Sequence, residues 1–241
     1  MTYHNNVLPL LPSALLCLAL VGCGSIGQPF PEKEFFGIDA GDSPAPAKRM
    51  ADSGLRVRRL RIAPPYDGRS FVYKVGESRY KTDYYNGFVT SPDHLLTGEL
   101  TQWLTEAKLF AAVVGSTGEA DHRYVLDGSV SELYGDFTDA NAPKAVIKAR
   151  FFLLDDSQAE TKIVFQKTYR KEAPLSEANP EAVAAGLGAA FREVLTELTA
   201  DISRTRLVPD ARTAGKQCDR QNHPTISSGT SETGDSRFLR T

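Results

Sequence analysis

The amino-acid sequence predicts an α+β domain: a mostly antiparallel sheet with two main helices covering one face, in the order strands, helix, strands, helix. Three observations predict it. Apolar stretches of strand length, bounded by Gly and Pro, recur in two groups within residues 55–89 and 124–173. Each group is followed by a segment with apolar residues at helical spacing. Both helical segments open on a capping residue and a proline, Ser91 with Pro92 and Asn179 with Pro180. Two helices suffice to cover one face of a sheet.

The 241 residues leave room for one domain, or at most two small ones. With 28 Lys and Arg against 30 Asp and Glu, the net charge of -2 lacks the basic excess of a nucleic-acid partner. Cys17, Cys23 and Cys218 lie far apart with no CxxC pair and no histidine cluster, so no metal site is expected.

Residues 1–22 hold no Asp, Glu, Lys or Arg, and the run "VLPLLPSALLCLALVG" has the length of a secretory apolar core rather than a membrane span. Pro9 and Pro12 oppose a transmembrane helix there. The segment is read as a signal peptide, although "MTYHNN" offers little positive charge. It ends in "LVGC", Leu20, Val21, Gly22 and Cys23, which resembles the lipobox of bacterial lipoproteins. That resemblance implies cleavage before Cys23 and transfer of a diacylglyceryl group, which carries acyl chains such as palmitate, to its thiol. Each buried CH₂ then contributes about 0.8 kcal/mol to the anchor. The alternative is a plain signal peptide with a chance cysteine. Gly24 stands where an aspartate would, by the same resemblance, retain a lipoprotein in the inner membrane. The expected location is the periplasmic face of the outer membrane.

Residues 23–54 read as the lipidated cysteine and an extended tether, rich in Pro, Ala and Gly, with "EFFGID" as an aromatic island able to dock as a strand. Residues 55–205 carry the domain. "LRVRRLRIA" alternates apolar and basic residues, with a phase slip between Val57 and Leu60 that a bulge would produce. "FVYKV" and "SRYKTDYYNGFV" read as a hairpin. In the first helix Leu96, Leu100, Trp103, Leu104 and Ala107 share a face. "YVLDGSVSELYGDF", "KAVIKARFFLLDD" and "TKIVFQKTYRKEA" read as an antiparallel meander, with Ile147, Ala149, Phe151 and Leu153 on its covered side. In the second helix Val183, Leu187, Phe191, Val194, Leu198 and Ile202 form the buried stripe. Residues 206–241 are too polar to bury a core and read as a disordered tail.

No catalytic constellation is legible. His4 and His223 fall in the leader and tail, and His94 and His122 have no paired nucleophile in sequence. There is no GxSxG elbow, "GLGAAF" lies within a helical segment, and Asp155 with Asp156 reads as a turn. The chain is therefore expected to be no enzyme and to need no cofactor. Two surfaces remain. Arg56, Arg58, Arg59 and Arg61 form either a solvated, edge-protecting face or a partner-contact surface. Phe71, Tyr73, Tyr80, Tyr84, Tyr85 and Phe88 are sheet packing, unless part of them is exposed as an interface.

The order of the lipobox cysteine, "EFFGID", "LRVRRLRIAPP", "FVYKVGESRYKTDYYNGFVTSP" and "LLTGELTQWL" is similar to the auxiliary lipoprotein family of ABC-type transporters, over roughly residues 35–203. That family includes the lipoprotein of the paraquat-inducible operon. Phe88 stands near the family's tryptophan. The resemblance implies a non-enzymatic periplasmic component beside a permease, an ATPase and a mammalian-cell-entry type substrate-binding protein. Such systems move phospholipid or other hydrophobic molecules between membranes. The lipoprotein would tether the assembly at the outer membrane through Cys23, with self-association also open. The alternative is a carrier that holds a hydrophobic ligand between sheet and helices.

Overall fold

The structure is a computed structural model that describes residues 32–43, 49–118 and 120–207. The signal peptide, Leu20, Val21, Gly22, Cys23, and residues 208–241 of the tail lie outside the described residues. All described elements fall in the compact unit that begins at Glu34.

The described strands form one nine-stranded sheet built around β7 (Tyr124–Asp136). One edge of β7 pairs antiparallel with β8 (Lys144–Asp155), which pairs antiparallel with β9 (Lys162–Pro174). The other edge of β7 is shared end to end by three short parallel partners: β2 (Leu55–Val57), β3 (Arg61–Ile62) and β4 (Ser70–Lys74). Outside β2 lies β6 (Val113–Val114), and outside β4 lies β5 (Tyr80–Phe88), followed by β1 (Glu34–Phe36).

The sheet is thus mixed. The three antiparallel ladders carry most of the pairing, and the five parallel contacts are two or three residues long. Parallel neighbours need a crossover, and the connection from β2 to β7 includes α1 (Pro92–Ala107). The slip after Val57 has a clear origin. Val57 faces Leu126 and Arg61 faces Ser129, so four steps along one chain match three along β7. One residue is extra, and Leu60 turns into the core with its N–H donated to Thr97 Oγ1 at 3.0 Å.

α1 and α2 (Pro180–Arg204) share one core with the sheet. Leu96, Leu100, Trp103 and Leu104 of α1, which packs against β2, β3 and β6, and Leu187, Phe191, Val194 and Leu198 of α2, which packs against β7, β8 and β9, join Leu55, Val57, Leu126, Ile147, Ala149 and Phe151 in one buried cluster. These side chains fill the interface between helices and sheet, as the helical and alternating patterns require. Trp103 Nε1 donates to Thr199 Oγ1 at 3.0 Å and ties the helices together.

Part of the stretch read as tether belongs to the domain. "EFF" docks as β1, and residues 37–43 then run as a strap over the helices. Glu99 Oε2 accepts from Ala40 N–H at 2.8 Å, and Glu106 Oε2 accepts from Ser43 N–H at 3.0 Å. From α2, Arg192 Nε donates to the Ala40 carbonyl at 2.5 Å. Ile38 and Ala40 are buried. Two side-chain carboxylates and one guanidinium satisfy the polar backbone that an extended chain presents when it leaves water.

Candidate functional site

The four arginines of the first strand do not form one free cationic surface. Arg58 and Arg61 straddle Asp127 of β7, with Nη1 of each 3.4 and 3.0 Å from its carboxylate. Arg59 turns toward Asp93 at the start of α1, 3.8 Å away, and lines a shallow groove of about 490 Å³ with His94, Thr97 and Thr101. Arg56 Nη2 donates to the Gly118 carbonyl at 2.9 Å.

The sheet face opposite the helices continues this charge pairing. Glu132 lies 3.4 Å from Lys148 and 3.0 Å from Arg170, and Glu172 pairs with Lys144 at 2.6 Å and with Arg170. Hydrogen bonds from Lys144 and then Arg170 hold the Glu172 carboxyl below its ordinary pKa. This is a solvated face of alternating charge, and surface pairs of this kind contribute little stability each.

The aromatic set divides. Phe71 and Phe88 are buried and meet edge-on at 4.7 Å, and Tyr73 is half-buried. Tyr80 is partly exposed, with its ring 5.8 Å from that of Tyr134. Tyr84 is 72% exposed and Tyr85 40%, beside Phe35 at 52% and Val89 at 55%.

Local chain geometry explains why two tyrosines of a strand point into water. Ser70 of β4 faces Gly87, but Val72 faces Thr82, so two steps on β4 are matched by five on β5. The four residues "DYYN" lie opposite the single residue Phe71, three in excess, and form a bulge. Asp83 staples it: Oδ1 accepts from the N–H groups of Tyr85 and Asn86 at 2.9 and 3.0 Å, and Oδ2 accepts from Tyr73 Oη and Asn86 Nδ2 at 2.9 and 3.0 Å. Burial works against the Asp83 charge, but these donors outweigh it and hold the carboxyl below its ordinary value. The Tyr84 and Tyr85 rings meet edge-on at 5.0 Å on the tip.

β1 completes this margin. Its pairing sets Phe35 opposite Gly87, and the Arg69 guanidinium lies 4.6 Å from the Phe35 ring centroid. Arg69 is fixed in turn, since Nε donates to the Phe88 carbonyl at 3.0 Å and Nη2 to the Val89 carbonyl at 2.9 Å. Sequence reasoning picked out the tyrosines but missed Asp83, Arg69 and Phe35. The available signal was an Asp and an Asn flanking two tyrosines inside a strand pattern, which is turn chemistry.

His94 Nε2 lies 4.0 Å from Asp93, and His122 Nδ1 lies 3.1 Å from the Ala120 carbonyl oxygen in an exposed loop. Among the described residues, no three His, Cys, Asp or Glu side chains are gathered to hold a metal ion. No described helix is long and apolar enough to cross a membrane.

This fold, a mixed sheet with two helices packed on it, has counterparts among solved structures. One is a Xanthomonas campestris protein of the family DUF330, with a TM-score of 0.63 and 20% identity over 78% of this chain and 99% of that one. A second, described as an uncharacterized protein, has a TM-score of 0.53 and 15% identity over 72% of this chain and 97% of that one. A hypothetical protein from Chlamydia trachomatis has a TM-score of 0.44 and 10% identity over 64% of this chain and 98% of that one. No protein-family model and no curated protein matches the sequence. At these identities the likeness to the first two is one of fold alone.

Proposed function

We propose that the chain is a non-enzymatic, lipid-anchored periplasmic component of an ABC-type transport system of the mammalian-cell-entry kind. It tethers the assembly at the outer membrane. The observation that carries this reading is "LVGC", Leu20 to Cys23, closing an uncharged apolar run. The order of elements that follows supports it, and the fold is shared with the Xanthomonas campestris protein. A tether needs a rigid body joined to a lipid-bearing thiol, and it needs no reacting groups. Its partners would be the substrate-binding protein and permease, met through protein surfaces. The closely packed interface between helices and sheet favours the tether over a ligand carrier.

The anchor is tested by replacing Cys23 with Ala in the full chain and labelling cells with palmitate. Label and membrane association are both expected to disappear, and membrane association that persists undiminished would sink the lipoprotein claim. The partners are tested by co-purification with a mammalian-cell-entry protein and its permease. Recovery of the chain without either counts against the transport assignment.

A further inference from the structure

We propose that the stapled bulge of β5 is a membrane-docking knob. Tyr84, Tyr85, Phe35 and Val89 enter the headgroup layer of the bilayer, and Arg69 faces the lipid phosphates. The identity of that bilayer, the one holding Cys23, rests on the lipoprotein reading. The docking chemistry is argued from the folded domain.

The β9 margin and the β1–β5 margin of the sheet differ in what they present to water. β9 exposes a single large apolar side chain, Ile163, among Lys162, Lys167, Arg170 and Lys171, of which Lys167 pairs with Asp201, Arg170 with Glu132 and Lys171 with Glu197. The β1–β5 margin instead exposes five large apolar or aromatic side chains, Phe35, Tyr80, Tyr84, Tyr85 and Val89, with Tyr84 and Tyr85 carried on the bulge. Exposure there is fixed by construction. Asp83 binds four donors within four residues of chain and across to β4, so the tyrosines are presented without ordering at the moment of contact.

The residue types suit the boundary between water and lipid. A phenol ring has an apolar body and a polar tip, and tyrosine is enriched at membrane interfaces for that reason. Arg69 adds a fixed cation beside this apolar group, where a phosphate layer would lie. Position along the chain supplies the rest. β1, which carries Phe35, is the first described element after Cys23, and Glu34 lies eleven Cα-to-Cα steps beyond Cys23, with ten residues between them. Fully extended, that segment spans at most about 40 Å. A lipid on Cys23 therefore keeps this margin within reach of the bilayer, and a weak contact suffices when it is intramolecular in effect.

The experiment uses the full mature chain carrying Tyr84→Trp, in the lipid-modified form and with Cys23→Ala. Vesicles contain phosphatidylethanolamine and phosphatidylglycerol, with or without brominated phosphatidylcholine. Trp103 is buried and gives a constant background. In the lipid-modified chain, emission of the new indole is expected to move to shorter wavelength on vesicles and to be quenched by brominated lipid. The Cys23→Ala chain should give the same shift at higher lipid concentration, and Phe35→Ser with Tyr85→Ser should weaken it. A lipid-modified chain that sits on vesicles with its emission unchanged overturns the knob and leaves the anchor standing. If mass spectrometry finds no lipid on Cys23, the anchor reading falls, and the vesicle titration of the unmodified chain still decides the knob. A shift that depends on protein concentration without vesicles means that a second copy covers the patch, which also overturns the proposal.

Discussion

Asp155, at the end of β8, and Arg123, just before β7, close one end of the meander as a carboxylate–guanidinium pair. Arg123 Nε donates to Oδ1 at 3.1 Å and Nη2 to Oδ2 at 2.8 Å. Hydrogen bonding from Arg123 outweighs burial and, with Ser157, lowers the Asp155 pKa from 3.8 to about 2. Because the folded value is depressed, the stabilisation is present above the unfolded value and is lost as pH falls through the folded one. Asp155→Asn should therefore cost about 2 kcal/mol near neutrality. Denaturant titrations of both proteins are expected to converge as pH drops from about 5 toward 2. The pair of aspartates at 155 and 156 reads from sequence as a turn, which is half of the account: Asp155 Oδ1 does accept from Ser157 N–H at 3.1 Å. Its partner Arg123 is 32 residues away in sequence, so periodicity gave no sign of it. The helix caps make a second contrast. Asn179 Oδ1 accepts from Ala182 N–H at 2.8 Å, whereas the Ser91 side chain makes no capping bond. Asn179→Ala should cost about 1 kcal/mol and Ser91→Ala only a few tenths, measured by denaturant unfolding.

Among the elements, the strap of residues 37–43 depends on one small residue of α2. A Cβ at Gly188 would run into the Asp39 carbonyl oxygen. Gly to Ala inside a helix ordinarily gains about 1 kcal/mol. Here the methyl must push the strap outward, so Gly188→Ala is expected to lose about 1–3 kcal/mol instead. Hydrogen exchange at Ala40 and Ser43 should quicken in that variant, since Glu99 and Glu106 would lose their donors. A net gain in stability would mean that the strap is not held as described. The composition of 23–54 suggests solvated chain, and the docking of its middle was visible only as the aromatic "EFFGID". The capturing groups, Glu99, Glu106 and Arg192, look like ordinary exposed helix residues in the sequence. The bulge in β5 belongs at this scale too. Its alternation breaks at "DYYN", but only the register against β4 reveals that those residues project.

For the whole molecule, β7 is the hub, with β8 along one edge and β2, β3 and β4 along the other. Opening it requires disrupting both halves of the sheet. Native-state hydrogen exchange should find the β7 amides exchanging only with global unfolding, while β1 and β6, at the margins, exchange by local opening. Equal protection across the strands would contradict this arrangement. The helices, their starts and their buried stripes, and the covered side of β8 were all written in the sequence. They follow from local rules of period, capping and polarity that need only near neighbours along the chain. The direction of β2, β3 and β4 along β7, the division of the arginines among Asp127, Asp93 and Gly118, and the strap were decided by the tertiary structure. So was the sorting of the tyrosine-rich stretch into core and knob. Each of these depends on which distant backbone or carboxylate lies across the way, and apolar patterning says which side of a strand is buried without saying what it is buried against.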